Sequence, residues 1–499
     1  MRFNSLAFAV FLTVVFPCFW AIARVTARAR WQNAFLVVVS CIFYGWVNPR
    51  VILLLLAVVG IAYVTGLAMA RPSSGPRDRK LVCAAGIVVS LGILGYFKYA
   101  GFFSNSFARL LNGLGLHADK FTLDVALPVG ISFYVFMAIA YIIDVYRGRV
   151  PAERDPITFF AFGTFFPQLL AGPIGRAPDL LPQYAGLRRF NDDDARDALR
   201  QIMWGLLKKM VIADNIAVVV DKSWANLPSG GGLTLLAVAV LYSIQIYCDF
   251  SGYSDIAIGV ARLFGIRLML NFHYPYFATN VSDFWRRWHI SLSSWFRDYV
   301  YIPLGGNRRS GRRRYANIIA TFTLTGLWHG AGWTFILWGL LHGIYYLPLQ
   351  VWQHAHRGAS RAVLPGANAG VVQEVEELGS VRRVSRKRGL LILGAALLTF
   401  AQVTLAWILF RAPNVSSAGD YFGRLFGPTR DWAQLRACLP WLAASVLLLG
   451  WEWTQRHHSH PLELARLPVT MRWALYCTIV LLVLFVGSFG SRQFIYVRF

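Results

Sequence analysis

The stretch LLILGAALLTFAQVTLAWILF, residues 390–410, runs for 21 positions without a charged side chain. About 20 apolar residues are enough for a helix to cross the hydrocarbon core of a bilayer. Within lipid, a segment must satisfy its own backbone hydrogen bonds, which leaves helices and closed barrels as the spanning structures. LAFAVFLTVVFPCFWAIA (6–23), VILLLLAVVGIAYVTGLAMA (51–70), LVCAAGIVVSLGILGYF (81–97) and WALYCTIVLLVLFVGSFG (473–490) meet the same length rule. The chain is 56% hydrophobic and only 15% charged, against about 25% charge in a soluble domain. The pattern predicts an all-α, multi-pass integral membrane protein. Ala-Ile-Ala at 21–23 resembles a signal-peptide cleavage site, but Arg24, Arg28 and Arg30 follow at once and resist export, so the first span is expected to be retained.

The net charge of +25 sits mostly between apolar segments. Arg24, Arg28 and Arg30 occupy the first connection, Arg50 alone the second, and RPSSGPRDRK (71–80) the third. The positive-inside rule then places the first and third connections in the cytoplasm and the N-terminus outside. Residues 353–388, which include RRVSRKR, should also be cytoplasmic. Because topology alone demands such basic runs, they do not indicate nucleic acid. The six cysteines show neither CxxC nor zinc spacing. They read as small buried hydrophobes, and no metal site is expected.

The chain divides into N-terminal spans (1–101), a core (102–352), a basic cytoplasmic loop (353–388) and C-terminal spans (389–499). From about 125 to 350 it is apolar but crowded with Gly, Pro, Trp, Arg and Asp, as in TFFPQLLAGPIGRAPDLLPQY (164–184). Interrupted backbone at membrane depth survives only when protein or a water-filled cavity satisfies it. The core should therefore enclose a site.

Within NVSDFWRRWHISLSSWFRDYVYIPLGG (280–306), Asn280 or Ser282 can cap a helix, with Asp283 favourable in its first turn. Trp285, Trp288, His289, Leu292, Trp295 and Phe296 then share one helical face, and Arg286, Ser293 and Arg297 another. The pattern predicts one amphipathic interfacial helix. It is either a tryptophan belt with snorkelling arginines or a platform for an anionic ligand. On the second reading Arg308, Arg309 and Arg312–Arg314 extend the platform, since arginine's planar fork suits phosphate.

TGLWHGAGW (325–333) sets His329 between Trp328 and Trp333 in an apolar segment. Gly326 and Gly330, like Gly339 and Gly343, are small-xxx-small pairs that permit close helix packing. On that basis His329 is either a hydrogen-bonded core imidazole or a reactive group, and an ionisable residue inside a membrane is by default a functional hypothesis. On one continuous helix His342 would lie about 20 Å along and about 140° around from His329, so the two could not serve one reacting atom. The fingerprints GxGxxG, Walker lysine, GxSxG and HExxH are absent. A histidine suited to general-base work beside a phosphate-gripping surface points to acyl transfer from a phosphate-bearing donor.

Three motifs carry a family resemblance: YCDFSGYSDIAIG (247–259), NFHYPYFATNVSDFWRRWHISLSSWFRDYVYIPLGG (271–306) and GLWHGAGWTFILWGLLHG (326–343). With LPVGISFYVF, FFPQLLAGPI and the terminal FIYVRF, the chain resembles the membrane-bound O-acyltransferases, most closely their bacterial polysaccharide (alginate-type) branch. The resemblance implies a ring of about 10–12 transmembrane helices, with re-entrant and interfacial helices around a central funnel, in the bacterial inner membrane. It makes His329 the catalytic histidine and His289 its companion. It implies a cytoplasmic thioester donor such as acetyl-CoA, with no permanently bound cofactor. It also implies a polysaccharide acceptor reached through a periplasmic partner of Ser-His-Asp type. Arg286, Arg287, Arg297, Trp285 and Trp288 are then expected at the donor. Asp249, Ser251, Asn280, Asp283, Trp328 and Trp333 are expected to line the site. D-alanyl transfer to teichoic acid and peptidoglycan acetylation are the alternatives within the family. Outside it, a proton-coupled transporter would use the same buried histidine, but the inverted hydropathy symmetry common in transporters is not visible.

Overall fold

A computed structural model of the chain describes residues 1–26, 28–116, 127–170, 172–227, 230–308, 311–356, 386–429, 431–464, 467–489 and 494–495. Most of the basic loop, Arg309 and most of the terminal FIYVRF lie outside the described residues. The described regular structure is helical.

The N-terminal part comprises α1 (Leu6–Thr26), α2 (Ala29–Gly45), α3 (Arg50–Met69) and α4 (Pro76–Leu94), which passes through a π-helical turn (Gly95–Tyr99) into α5 (Ala100–Gly113). Then come α6 (Ile131–Tyr146), α7 (Pro156–Thr164), the short α8 (Phe166–Leu169), α9 (Ala177–Ala185) and α10 (Asp192–Leu206). A second π-turn (Leu207–Ala213) joins α10 to α11 (Asp214–Ala225), followed by α12 (Gly232–Leu263). The remainder is α13 (Val281–Arg287), α14 (Ile290–Phe296), α15 (Gly311–His329), α16 (Trp333–His356), α17 (Arg386–Arg411), α18 (Val415–Leu425), α19 (Trp432–Thr454) and α20 (Val469–Phe485).

Among the described residues, six helical segments are long and apolar enough to cross a membrane, and α6 and α20 are shorter apolar helices. The first of the six is α1. The most apolar window of α12 is 83% buried, against 22–33% for the other five. It is the central post, while Leu53 and Val64 on α3, Leu391 and Leu398 on α17, and Leu447 on α19 stay exposed on the outside. Such apolar surface is what lipid contact requires.

Close packing on the post depends on glycine. A Cβ at Gly252 of α12 would meet the carbonyl oxygen of Gly205 at 2.8 Å, so α10 crosses α12 almost backbone to backbone. The same device joins α15 to α16. The chain reverses at 330–332, and Gly326 and Gly339 then face each other, a Cβ on either falling 3.1 Å from the other's Cα. The predicted small-residue packing is present, but on two antiparallel helices instead of one continuous helix.

The single amphipathic helix expected at 280–297 is also interrupted. Asn280 caps α13, its Oδ1 accepting from the Asp283 amide at 2.9 Å, and Asp283 pairs with Arg287 at 2.9 Å. The helix then stops, because Trp288 is extended and His289 adopts a left-handed conformation (φ 45°, ψ 52°) before α14 begins. That conformation is uncommon for a residue with a Cβ and needs outside support. The support comes from a distant loop: the Arg287 carbonyl accepts from the His273 amide and the Asn271 carbonyl from the Ile290 amide, each at 2.9 Å.

Candidate active site

The interruption and the reversal bring His289 and His329 together. Their ring centroids lie 6.1 Å apart, and both side chains are buried. Aromatic rings surround the pair. Phe250 of α12 stands edge-on to His289 at 4.6 Å, and Trp328 lies 5.8 Å from His289. Trp338 and Phe410 close around His329 at 5.0 and 5.3 Å.

The last turn of α15, which carries His329, is held from α4–α5. The terminal carbonyls of a helix lack intrahelical partners. Here the Tyr99 hydroxyl donates to the Leu327 oxygen at 3.0 Å, and the Lys98 ammonium to the Trp328 oxygen at 2.6 Å. Lys98 also reaches the His329 oxygen at 3.4 Å and Ser132 Oγ at 3.2 Å. A cation at a helix C-terminus is further favoured by the helix dipole.

Two cavities lie near the pair. One, of about 380 Å³, is lined by Lys98, Gly130, Ser132, Phe133, Trp328 and His329. The other, of about 350 Å³, is lined by Lys208, Tyr247, Asp255, Asn271 and Glu452 among others. Asn271 accepts at Oδ1 from His289 Nδ1 across 3.1 Å, so the second cavity reaches His289 through one side chain.

The other residues singled out in the sequence make the following contacts. Trp285 and Trp288 are buried rather than open to a donor. Trp288 packs against Phe272, Phe284 and Trp407, and Trp285 Nε1 donates to His342 Nδ1 at 3.3 Å. Asp249 and Ser251 flank Phe250 but turn to the lysines of the second π-turn. Lys209 Nζ lies 2.5 Å from Asp249 and 2.7 Å from Asp214, and Lys208 Nζ donates to Ser251 Oγ at 2.8 Å. Asp249 also accepts from the Ile495 amide at 2.7 Å. Trp328 meets the rings of both His289 and His329, whereas Trp333 is 54% exposed and packs on Phe102. Arg286 and Arg297 are exposed, Arg287 is half-buried, and Arg297 pairs with Asp298 at 2.7 Å.

The separation of His342 from His329 does not hold. With the helix reversed at 330–332, His342 contacts the same Trp338 ring, at 4.8 Å. What sets it apart is its bond from Trp285. Asp197, His460 and Glu463 bring ligand-type atoms within 4.8 Å of one another, but Arg262 already pairs with Asp197.

Lys98, Tyr99, Ser132 and Asn271 were not among the residues singled out. Lys98 had a signal, a lone cation closing the apolar run 81–97. Asn271 had none beyond its place at the head of a motif.

Both histidines, with Phe250, Asn271, Trp328 and Trp338, fall within a match to a family model. Residues 152–362 match that of MBOAT, the membrane-bound O-acyltransferase family. The chain is 38% identical to a probable alginate O-acetylase of Pseudomonas syringae over 446 residues, 89% of this chain and 79% of the relative. It is 34% identical to a peptidoglycan O-acetyltransferase of Helicobacter pylori, over 84% of this chain and 78% of that one. A teichoic acid D-alanyltransferase of Streptococcus thermophilus is 34% identical over 45% of this chain and 57% of its own length. The chain belongs to the membrane-bound O-acyltransferase family. It is a multi-pass membrane O-acyltransferase with homologues among the alginate O-acetylases.

Proposed function

We propose that the protein transfers acetyl groups from a cytoplasmic thioester, acetyl-CoA in the first instance, to an acceptor on the outer side of the bacterial inner membrane, for O-acetylation of an exopolysaccharide such as alginate. The observation that carries this reading is the buried His289–His329 pair, with His329 lining one cavity and Asn271, hydrogen-bonded to His289, lining another. A donor and an acceptor held on opposite sides of a membrane need a meeting point. On this reading the cavity lined by Lys208 and Asn271 receives the cytoplasmic donor. With residues 71–80 in the cytoplasm, the single α4–α5 span carries the loop before α6, and with it the Lys98–His329 cavity, toward the outside. Residues 102–352 form the catalytic core between the two terminal groups of spans, and 353–388 a cytoplasmic loop.

In the chemical step His329 takes the proton of the acceptor hydroxyl while its oxygen attacks the thioester carbonyl carbon. The new C–O bond forms, the C–S bond breaks, and the departing thiolate takes the proton from the His329 ring. A positioned general base of this kind contributes about 10²–10⁴ in rate. A separate periplasmic enzyme of Ser-His-Asp type completes delivery to the sugar hydroxyls.

The Helicobacter relative favours a second reading, acetylation of peptidoglycan, because its match covers nearly as much of the chain as the alginate match. Acetyl analysis of secreted polysaccharide and of peptidoglycan, in cells lacking the gene and in cells carrying it, separates the two. Loss of acetyl from the polysaccharide alone supports the first reading, and loss from peptidoglycan alone supports the second. Unchanged acetylation of both rejects each.

A further inference from the structure

We infer that Asn271 is the positioning residue of the site, fixing His289 as the tautomer with its proton on Nδ1 and its lone pair on Nε2. The inference rests on the acyl-transfer reading only for its kinetic consequence. The tautomer itself follows from hydrogen-bond chemistry.

Asn271 is fully buried. Its Oδ1 lies 3.3 Å from the backbone nitrogen of Ser291, 2.9 Å from Ser291 Oγ and 3.1 Å from His289 Nδ1. A backbone N–H can only donate, so the atom facing Ser291 must be the amide oxygen. A flipped amide would set NH₂ against N–H. The NH₂ group then points the other way, where Nδ2 donates to Ser254 Oγ at 3.2 Å. With an acceptor facing it, Nδ1 of His289 must carry hydrogen, and in the neutral ring the lone pair falls on Nε2.

The same side chain supports the backbone. His289 is left-handed, and the amides of the next two residues are held by Asn271, Ile290 by its carbonyl and Ser291 by its Oδ1. One residue therefore sets both the position of His289 and which of its nitrogens can accept a proton. The logic is that of a catalytic group's neighbour oriented by a third group: His289 stands beside the base His329, 6.1 Å between ring centroids, and a wrong tautomer there is expected to slow the step. Because Asn271 also lines the cavity assigned above to the donor, it is placed to hold this geometry while that cavity is occupied.

Solid-state NMR of the full-length protein in lipid, with ¹⁵N-labelled histidine and the His289 signals assigned by difference against His289→Gln, reads the tautomer without any turnover. The expected result is a neutral ring protonated at Nδ1 in the wild type and in Asn271→Asp, which keeps the acceptor. Asn271→Ala should give a mixed or Nε2-protonated ring. In acyl-transfer assays Asn271→Ala should lower kcat roughly 10²-fold with the donor KM changed less than about twofold. Asn271→Asp should recover much of that loss. An Nε2-protonated His289 in the wild type overturns the inference whether or not any variant folds, as does wild-type kcat in Asn271→Ala. A chain with the expected tautomer but no acyl-transfer activity would count against the proposed function and leave this assignment standing.

Discussion

The Lys98 ammonium caps the helix that carries His329, donating to the Trp328 carbonyl at 2.6 Å across 230 residues of sequence. Three acceptors converge on that one cation: the Trp328 and His329 carbonyls and Ser132 Oγ. Lys98→Met removes the donor from all three, and leaving buried acceptors unsatisfied costs about 1–3 kcal/mol. The variant should melt at lower temperature and lose most acyl transfer, while Lys98→Arg, which keeps a cation with several donors, should retain more of both. Wild-type melting and turnover in Lys98→Met would show that the cap does not hold His329.

Gly326 and Gly339 leave no room for a side chain. A Cβ at Gly326 would fall 2.2 Å from the Phe335 carbonyl oxygen, and one at Gly339 2.3 Å from that of Phe322. Backbone cannot yield as a flexible side chain can, so Gly326→Val or Gly339→Val should cost at least about 1–3 kcal/mol by overpacking. Fluorescence-detected size exclusion should show loss of the monodisperse peak. Gly92, with nothing within 4 Å of its Cβ position, should accept alanine without effect.

Those glycines show what the sequence made legible. Their spacing announced close helix contact, Asn280 and Asp283 announced a helix start, and the apolar runs announced the spans. The break at His289 was hidden, because neither Gly nor Pro marks Trp288 or His289 and the bonds that hold it come from Asn271 and His273. The reversal at 330–332 did carry a signal in Gly330 and Gly332. Treating 326–343 as one continuous helix separated His342 from His329, although both meet Trp338. Asp249 was expected to line the site, and its carboxylate pairs with Lys209, forty residues away in sequence.

Lys209 is buried between Asp214 and Asp249. Removing one partner of a buried ion pair typically costs about 3–5 kcal/mol, because the other charge is left uncompensated. Lys209→Met should therefore abolish folded protein, as judged by abundance in membranes. Adding Asp249→Asn should recover part of it, since one of the stranded charges is then gone. If Lys209→Met is abundant and merely inactive, the cluster acts in the chemistry instead of the fold.

Of the arginines on α13 and at the end of α14, Arg287 and Arg297 are already paired with carboxylates. No salt bridge to Arg286 occurs among the described residues. A charge-assisted contact to a donor phosphate is worth about 1.5–3 kcal/mol. If Arg286 makes one, Arg286→Gln should raise the apparent donor KM roughly ten- to hundredfold, and lysine should rescue only part of that because it lacks the bidentate fork. Arg287→Gln and Arg297→Gln should have smaller effects. Donor titration of detergent-solubilised protein decides. An unchanged donor KM in Arg286→Gln would make this face a lipid-headgroup anchor.

The central claim is that His329 does chemistry while His342 braces the core. Acyl transfer by purified His329→Ala and His342→Ala, each normalised to folded protein, tests it most directly. His329→Ala should be well folded and about 10²–10⁴-fold slower. His342→Ala loses the acceptor of Trp285 Nε1 and ring contacts with Trp338 and Phe284, so it should yield less folded protein with near-normal turnover per molecule. Wild-type turnover in folded His329→Ala, or a catalytic collapse confined to well-folded His342→Ala, would contradict the account.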